Sequence, residues 1–396
     1  MSVIFDEKDK EVRILLSILF IVIAAGGVLE ARSLVPRGER PAREFERGFP
    51  EKGNRTLRIS EISVHPKVFN PSRGEKVTIG FKVSRPSKVR VRVLDSETNL
   101  VRDLSGGVWQ EVHKIIWDGR DLMGGVVPDE AYTFTIEAMD RLRGSAFYDP
   151  FGRFDGEETL ALKVTYDERR GVVSYHLSRD SRVLIRVGIP KGPLLKTILP
   201  WQPRQAGYHE EPWDGKDESG TLYLSQMRGY KLSGEAIPLV ENSIITVGHR
   251  TVDLDSNKIA RGIGRPERKD SVPLGGGPWA ARLVPQSLVP KGPIPRFRID
   301  LPEHTLQTET GHFKVKGKVP IRVTLDEGVL KQVTEERYEI ILYVDFEFVS
   351  EVEEGYSPST LLWDAKQVGS GEHILTVNVR TLNGQVSSAS LRVWAD

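Results

Sequence analysis

The chain has 396 residues, a net charge of +1 with 28% charged residues, and no cysteine. The near-neutral balance gives no broad basic surface for nucleic acid. The missing cysteines exclude disulfides, thiolate metal sites and cysteine nucleophiles.

Residues 1–13 read as a charged N-terminal tail. The stretch Ile14 to Leu29, ILLSILFIVIAAGGVL, has no charge. As a helix it would be about 24 Å long at ~1.5 Å per residue, a little short of a ~30 Å hydrocarbon core. Arg13 and Arg32 at its ends can snorkel to make up the difference. Residues 14–31 are therefore expected to be a retained transmembrane anchor. A cleaved signal peptide is the competing reading, but the preceding DEKDKEVR is rich in acid where a signal peptide is basic. Three Lys or Arg precede the segment and five follow it closely, which taken alone favours a cytoplasmic body. A signal anchor with a long translocated body is the commoner arrangement. The expected location is thus the bacterial cytoplasmic membrane, single-pass, with the bulk of the chain in the periplasm or at the cell exterior.

Residues 32–56, rich in Pro, Gly and mixed charge, read as an extended tether. Alternation then begins. EKVTIGFKV puts Val77, Ile79, Phe81 and Val83 on one face, SKVRVRVLD does the same with Val89, Val91 and Val93, and AYTFTIEA adds Tyr132, Phe134 and Ile136. The pattern restarts after Gly156 and again near Pro295, and no stretch beyond the anchor shows a sustained helical period. This predicts an all-β chain of antiparallel sandwiches at 57–140, 158–248 and 294–396. They are joined by an aromatic linker at 141–157 and a Pro/Gly-rich strap at 249–293. One signature recurs: IIWDGRDLMG at Ile115, EPWDGKDESG at Glu211 and LLWDAKQVGSG at Leu361. In each, an indole can plug a sandwich core while the Asp accepts turn amides, which gives Trp117, Asp118, Gly119, Trp213, Asp214, Gly215, Trp363 and Asp364 a structural role. Gly119 and Gly215 can take positive φ, whereas Ala365 predicts a different third turn. A divalent ion on Asp118 with Asp121, or on Asp214 with Asp217, is the alternative.

The stretch Phe69–Ala138, with its Asn-Pro-Ser start, the strand VRVRVLD, the Trp-Asp-Gly-x-Asp turn and VPDEAYTFTIEA, resembles the immunoglobulin-like module of flagellar hook-capping proteins. Asp129, Glu130 and Ala131 stand where that family usually has Gly before the aromatic strand. The second copy keeps WDGKDESG and lacks the Asn-Pro opening. The third resembles bacterial Ig-like repeats of adhesins and surface proteins, with Phe346 where Gly is common. The resemblance implies tandem Ig-like sandwiches and is nearly silent on function.

Phosphate-cradle, zincin and nucleophile-elbow signatures do not occur, and the eight histidines are scattered. HEEPW has Trp213 where a zinc motif needs His, and DLDSNKIARG has Lys258 where a calcium loop needs Gly. The expectation is no enzyme activity, no cofactor and no bound metal. Two connectors look unlike inert linkers. SAFYDPFGRF gathers Phe147, Tyr148, Phe151 and Phe154, and the Pro-rich strap carries Trp279, Leu283 and Leu288. Apolar residues punctuated by Pro suit an extended strap against another surface. These residues are the expected partner-binding set. The protein is thus read as a membrane-anchored accessory subunit that positions other protein subunits. The alternative is an adhesin or glycan-binding protein using Trp201, Tyr208 and Trp213 near His209, and a hydrolase ranks below both.

Overall fold

The computed structural model describes residues 56–152, 159–249, 294–302, 306–307, 311–335, 337–382 and 384–396. The expected tail, the anchor at 14–31 and nearly all of the tether lie outside the described residues, as do Phe154, Trp279, Leu283 and Leu288. Among the described residues no helix is long and apolar enough to cross a membrane.

In the first module the two expected strands around Phe81 and Val91 are one strand, Val77–Leu94. The buried alternation runs through both halves in phase, with Val77, Ile79, Phe81, Val83, Val89, Val91 and Val93 facing the core. The first half pairs with Ile59–His65 and the second with Ala131–Asp140. The hairpin partner Leu100–Trp117 slips register between Lys82 and Ser87. Ser84, Arg85 and Pro86 sit at that slip, and Pro86 has no N–H to give the ladder. The ladder is interrupted there, and the strand changes its second partner from Ile59–His65 to Ala131–Asp140 across the slip.

The first module is also discontinuous. Ile244–Thr246 pairs antiparallel with Ala131 and Tyr132, and parallel with Val68 and Phe69. The segment expected to close the second module thus completes the first. Within the expected aromatic linker, Ser145–Tyr148 is a strand paired with Ala131–Asp140. The second module is a four-strand layer in the order Leu194–Arg204, Ser181–Gly188, Lys231–Pro238 and Leu160–Leu162. It faces a three-strand layer of Gly207–Pro212, Val172–Leu177 and Val164–Asp167. Its core joins Val173, Tyr175, Leu177, Val183, Ile185, Val187, Leu195 and Trp213.

The third module packs Phe297–Asp300, Lys318–Leu325 and Ser359–Asp364 against a six-strand layer whose centre is Val386–Ala395, Gly371–Thr381 and Tyr338–Val344. It also holds an α-helix, Glu327–Glu335, which corrects the expectation that no helix follows the anchor. Val329 and Val333, four apart, are buried on one face. The Asp326 carbonyl accepts from the amides of Val329 and Leu330 at 3.1 and 3.0 Å. Glu327 in the first turn complements the helix dipole. Nine residues are too few to establish a period in the sequence.

Candidate functional site

The repeated turn is built alike in the first two modules. Trp117 and Trp213 are fully buried, and each indole Nε1–H donates to the carbonyl three residues on, Arg120 at 3.0 Å and Lys216 at 2.8 Å. Asp118 and Asp214 accept the amides of Arg120 and Lys216 through Oδ1 at 3.2 and 3.0 Å. Gly119 takes φ +69°, and a Cβ there would lie 2.4 Å from Pro71 Cβ. Gly215 takes φ +75° beside the Tyr166 hydroxyl. The next acids also serve the backbone: Asp121 Oδ1 accepts Met123 and Gly125 amides, and Asp217 Oδ1 accepts Leu222. In the third copy Trp363 is buried, Asp364 accepts the Lys366 amide at 3.1 Å, and Ala365–Gln367 forms a short 3₁₀ turn. Among the described residues no group of three His, Asp or Glu side chains is placed to hold a metal ion.

The aromatic set around Trp213 is dispersed. Trp213 is 3% exposed and sits in the second core, so it offers no sugar-stacking surface. Trp201 lines a crevice of about 450 Å³ with Leu184, Ile294, Phe297 and Ser388. Tyr208 is exposed, and its hydroxyl donates to Glu210 at 3.0 Å. His209 stacks on Tyr175 at 5.4 Å and lines a different crevice with Val68 and Ile245. Of the linker aromatics, Tyr148 packs on the first core, 5.9 Å from Phe134, and its hydroxyl accepts from Asn242 Nδ2 at 3.3 Å. Phe147 lies opposite Glu137 in the same sheet, and the Phe151 amide donates to Asp149.

The side chains that join the modules are ones the sequence reading did not single out for contact. Glu130 pairs with Arg182 at 2.6 Å, and Lys67 with Asp180 at 2.9 Å, both across the first and second modules. Within the first module, Asp129 Oδ1 accepts the His249 amide while its own amide donates to the His249 carbonyl, which holds the returned segment in place. Between the second and third modules, Asn378 accepts the Leu194 amide at 2.9 Å and returns Nδ2 to the Leu194 carbonyl at 2.8 Å. The Ser390 amide donates to Ser219 Oγ at 2.7 Å, and Thr221 Oγ1 donates to the Ser390 carbonyl at 3.1 Å.

Phe346 completes this seam. It occupies the left-handed region at φ +70°, next to Asp345 at φ +50°. Its side chain packs with Ile374 against the second module's core. Asp345 is held from three sides: its carboxylate meets His373 Nδ1 at 2.6 Å and the Ile374 amide at 2.9 Å, and its amide donates to the Ile374 carbonyl. Burial lowers the His373 pKa, but the Asp345 hydrogen bond and charge outweigh it, leaving the imidazole above its ordinary value. The sequence signals for the two seams were the departures at Glu130 for the first and Phe346 for the second, where the resembled modules carry glycine.

Fold and turn together define a class, a repeated, mostly β module closed on a buried Trp-Asp turn. Within it, residues 68–141 match the FlgD Ig-like domain family. Among solved structures, the chain is similar to a tetra-tandem repeat from the extending region of a large adhesion protein. That match has 13% identity, 86% of this chain, 74% of that chain and a TM-score of 0.18. A bacterial ice-binding adhesin matches at 10% identity, 86% and 98% coverage and a TM-score of 0.17. Trypsin-activated alpha-2-macroglobulin from Escherichia coli matches at 11% identity, 86% and 23% coverage and a TM-score of 0.18. No curated protein matches the chain.

Proposed function

We propose that the protein is a non-catalytic accessory subunit, anchored by residues 14–31 in the bacterial cytoplasmic membrane. Its extracytoplasmic Ig-like modules and connectors bind and position other proteins of an envelope assembly. The observation that carries this reading is the pair of seams. Ion pairs, a returned strand and a two-way amide clamp fix the three modules against one another, as a spacer requires and a flexible string of beads does not. The repeated Trp-Asp turns support it too, because the indole N–H groups of Trp117 and Trp213 and the Oδ1 atoms of Asp118 and Asp214 are taken up by their own backbone. Partner contact is assigned to the connector residues Phe147 and Phe151 and to the strap residues Trp279, Leu283 and Leu288.

Deletion of residues 263–293 tests the strap. The deletion variant is expected to lose its co-purifying proteins while its unfolding midpoint stays within the error of the parent's. Retention of those proteins by the folded variant would contradict the assignment.

A further inference from the structure

One end of the first module carries a basic and apolar tip that the proposed function does not use. The hairpin of Ala131–Asp140 and Ser145–Tyr148 presents Leu142 in its turn at 80% exposure and Met139 at the strand end at 57%. Arg141 and Arg143 flank Leu142, and both are exposed. Beside them two cations lie over the Trp109 ring, Lys88 Nζ at 5.5 Å and Arg141 Cζ at 5.2 Å from its centroid. Arg58, Lys88, Arg141 and Arg143 form no ion pair with any described carboxylate.

The turn is firmly built. Asp140 Oδ1 accepts the Leu142 and Gly144 amides at 2.9 and 2.7 Å, the Asp140 amide donates to the Gly144 carbonyl, and Arg85 neutralises the carboxylate at 2.6 Å. Asp140 therefore leaves the local charge positive. This is also the end where the chain enters the module. Ser84, next to Arg85, exchanges hydrogen bonds with Arg58, two residues after the tether.

We propose that this tip rests on an anionic lipid surface. An interfacial indole, two protruding apolar side chains and a group of cations without carboxylate partners are the chemistry that headgroups and the upper acyl region accept. Each cation brought to such a surface contributes roughly fivefold in partitioning. The occupant is a bilayer because the tether, expected to run from the membrane, delivers the module at this end. That placement rests on the anchored reading, and the test separates the two.

The chain lacks cysteine, so single cysteines can be labelled in the full-length protein. Leu142→Cys is the probe and Leu382→Cys, exposed in the third module, is the reference. Each is reconstituted into phosphatidylcholine vesicles with or without phosphatidylglycerol, using headgroup spin-labelled lipid as quencher. The label at 142 is expected to lose most of its emission only when phosphatidylglycerol is present. High salt or the double variant R141E/R143E should restore it, while the label at 382 stays bright. Equal emission at 142 and 382 would overturn the proposal, and so would protection of 142 by a co-purified protein in place of lipid. Flotation with neutral vesicles and a silent 142 label keeps the anchor and discards the tip. Flotation only with anionic vesicles, reversed by salt, keeps the tip and discards the anchor.

Discussion

At the scale of single residues, the three Trp-Asp turns show one tripeptide position meeting opposite demands. Gly119 is held at φ +69° with Pro71 against its missing side chain, whereas Ala365 begins a 3₁₀ turn. Gly119→Ala is therefore expected to cost at least about 1–3 kcal/mol from the left-handed backbone alone, with the overlap on Pro71 adding to it. Ala365→Gly is expected to cost about 1 kcal/mol or less, chiefly from chain entropy. Chemical denaturation of the two variants checks this, and equal losses would show that the turns are the same after all. Removal of the indole should be worse than either. Trp117→Ala leaves a cavity between Phe69 and Tyr132, whose ring centroids lie 5.8 and 5.2 Å away, and should cost about 3–5 kcal/mol. His373 adds a pH term. Its pKa is raised in the fold, so the stabilisation from its pairing with Asp345 is complete below the unfolded value of about 6.5. It is lost as pH rises through the raised value. The difference in thermal midpoint between the parent and His373→Gln should therefore shrink from acid to alkaline pH. A constant difference would contradict the assignment.

At the scale of elements, the seam between the second and third modules turns on one hairpin tip and one amide. Phe346→Gly relieves a left-handed side chain, worth roughly 1–2 kcal/mol, and removes packing of comparable size from the second core. Overall stability should thus move little while the seam loosens. Asn378→Ala strands the Leu194 amide and carbonyl and should cost about 1–3 kcal/mol. The pair of substitutions together is expected to split one unfolding transition of the second and third modules into two in calorimetry. A single sharp transition in the double variant would mean that other contacts hold the seam. These elements also mark what the sequence could and could not disclose. Period-two alternation fixed which residues of Val77–Leu94 face the core, because the pleat imposes it locally. The same alternation stayed in phase through Ser84 to Pro86 and so hid the register slip and the change of partner strand there. The return of Ile244–Thr246 to the first module rests on partners more than 100 residues away, Ala131 and Tyr132, and no local period encodes it. The helix Glu327–Glu335 was missed because two buried valines look alike in a strand or a short helix.

At the scale of the whole molecule, the second module is tied to the first by two chain crossings, one before Leu160 and one before Ile244. It is tied to the third by Phe346 and Asn378. Fixed modules make sense of a chain whose repeated motifs are spent on architecture: what remains to act is the surface they hold apart and the connectors between them. The role of the Trp-Asp turns was legible because indole, Asp and Gly each have a local reason to be there. The seams were not, because Arg182 and Asn378 read as ordinary solvated residues until the fold brings Arg182 to Glu130 and Asn378 to Leu194. The most direct test of the accessory-subunit reading is the native mass and composition of the protein after mild detergent extraction from its own membranes. Co-migration with defined subunits at a fixed ratio is the predicted result. A lone monomer, with no stoichiometric companion, would contradict the account.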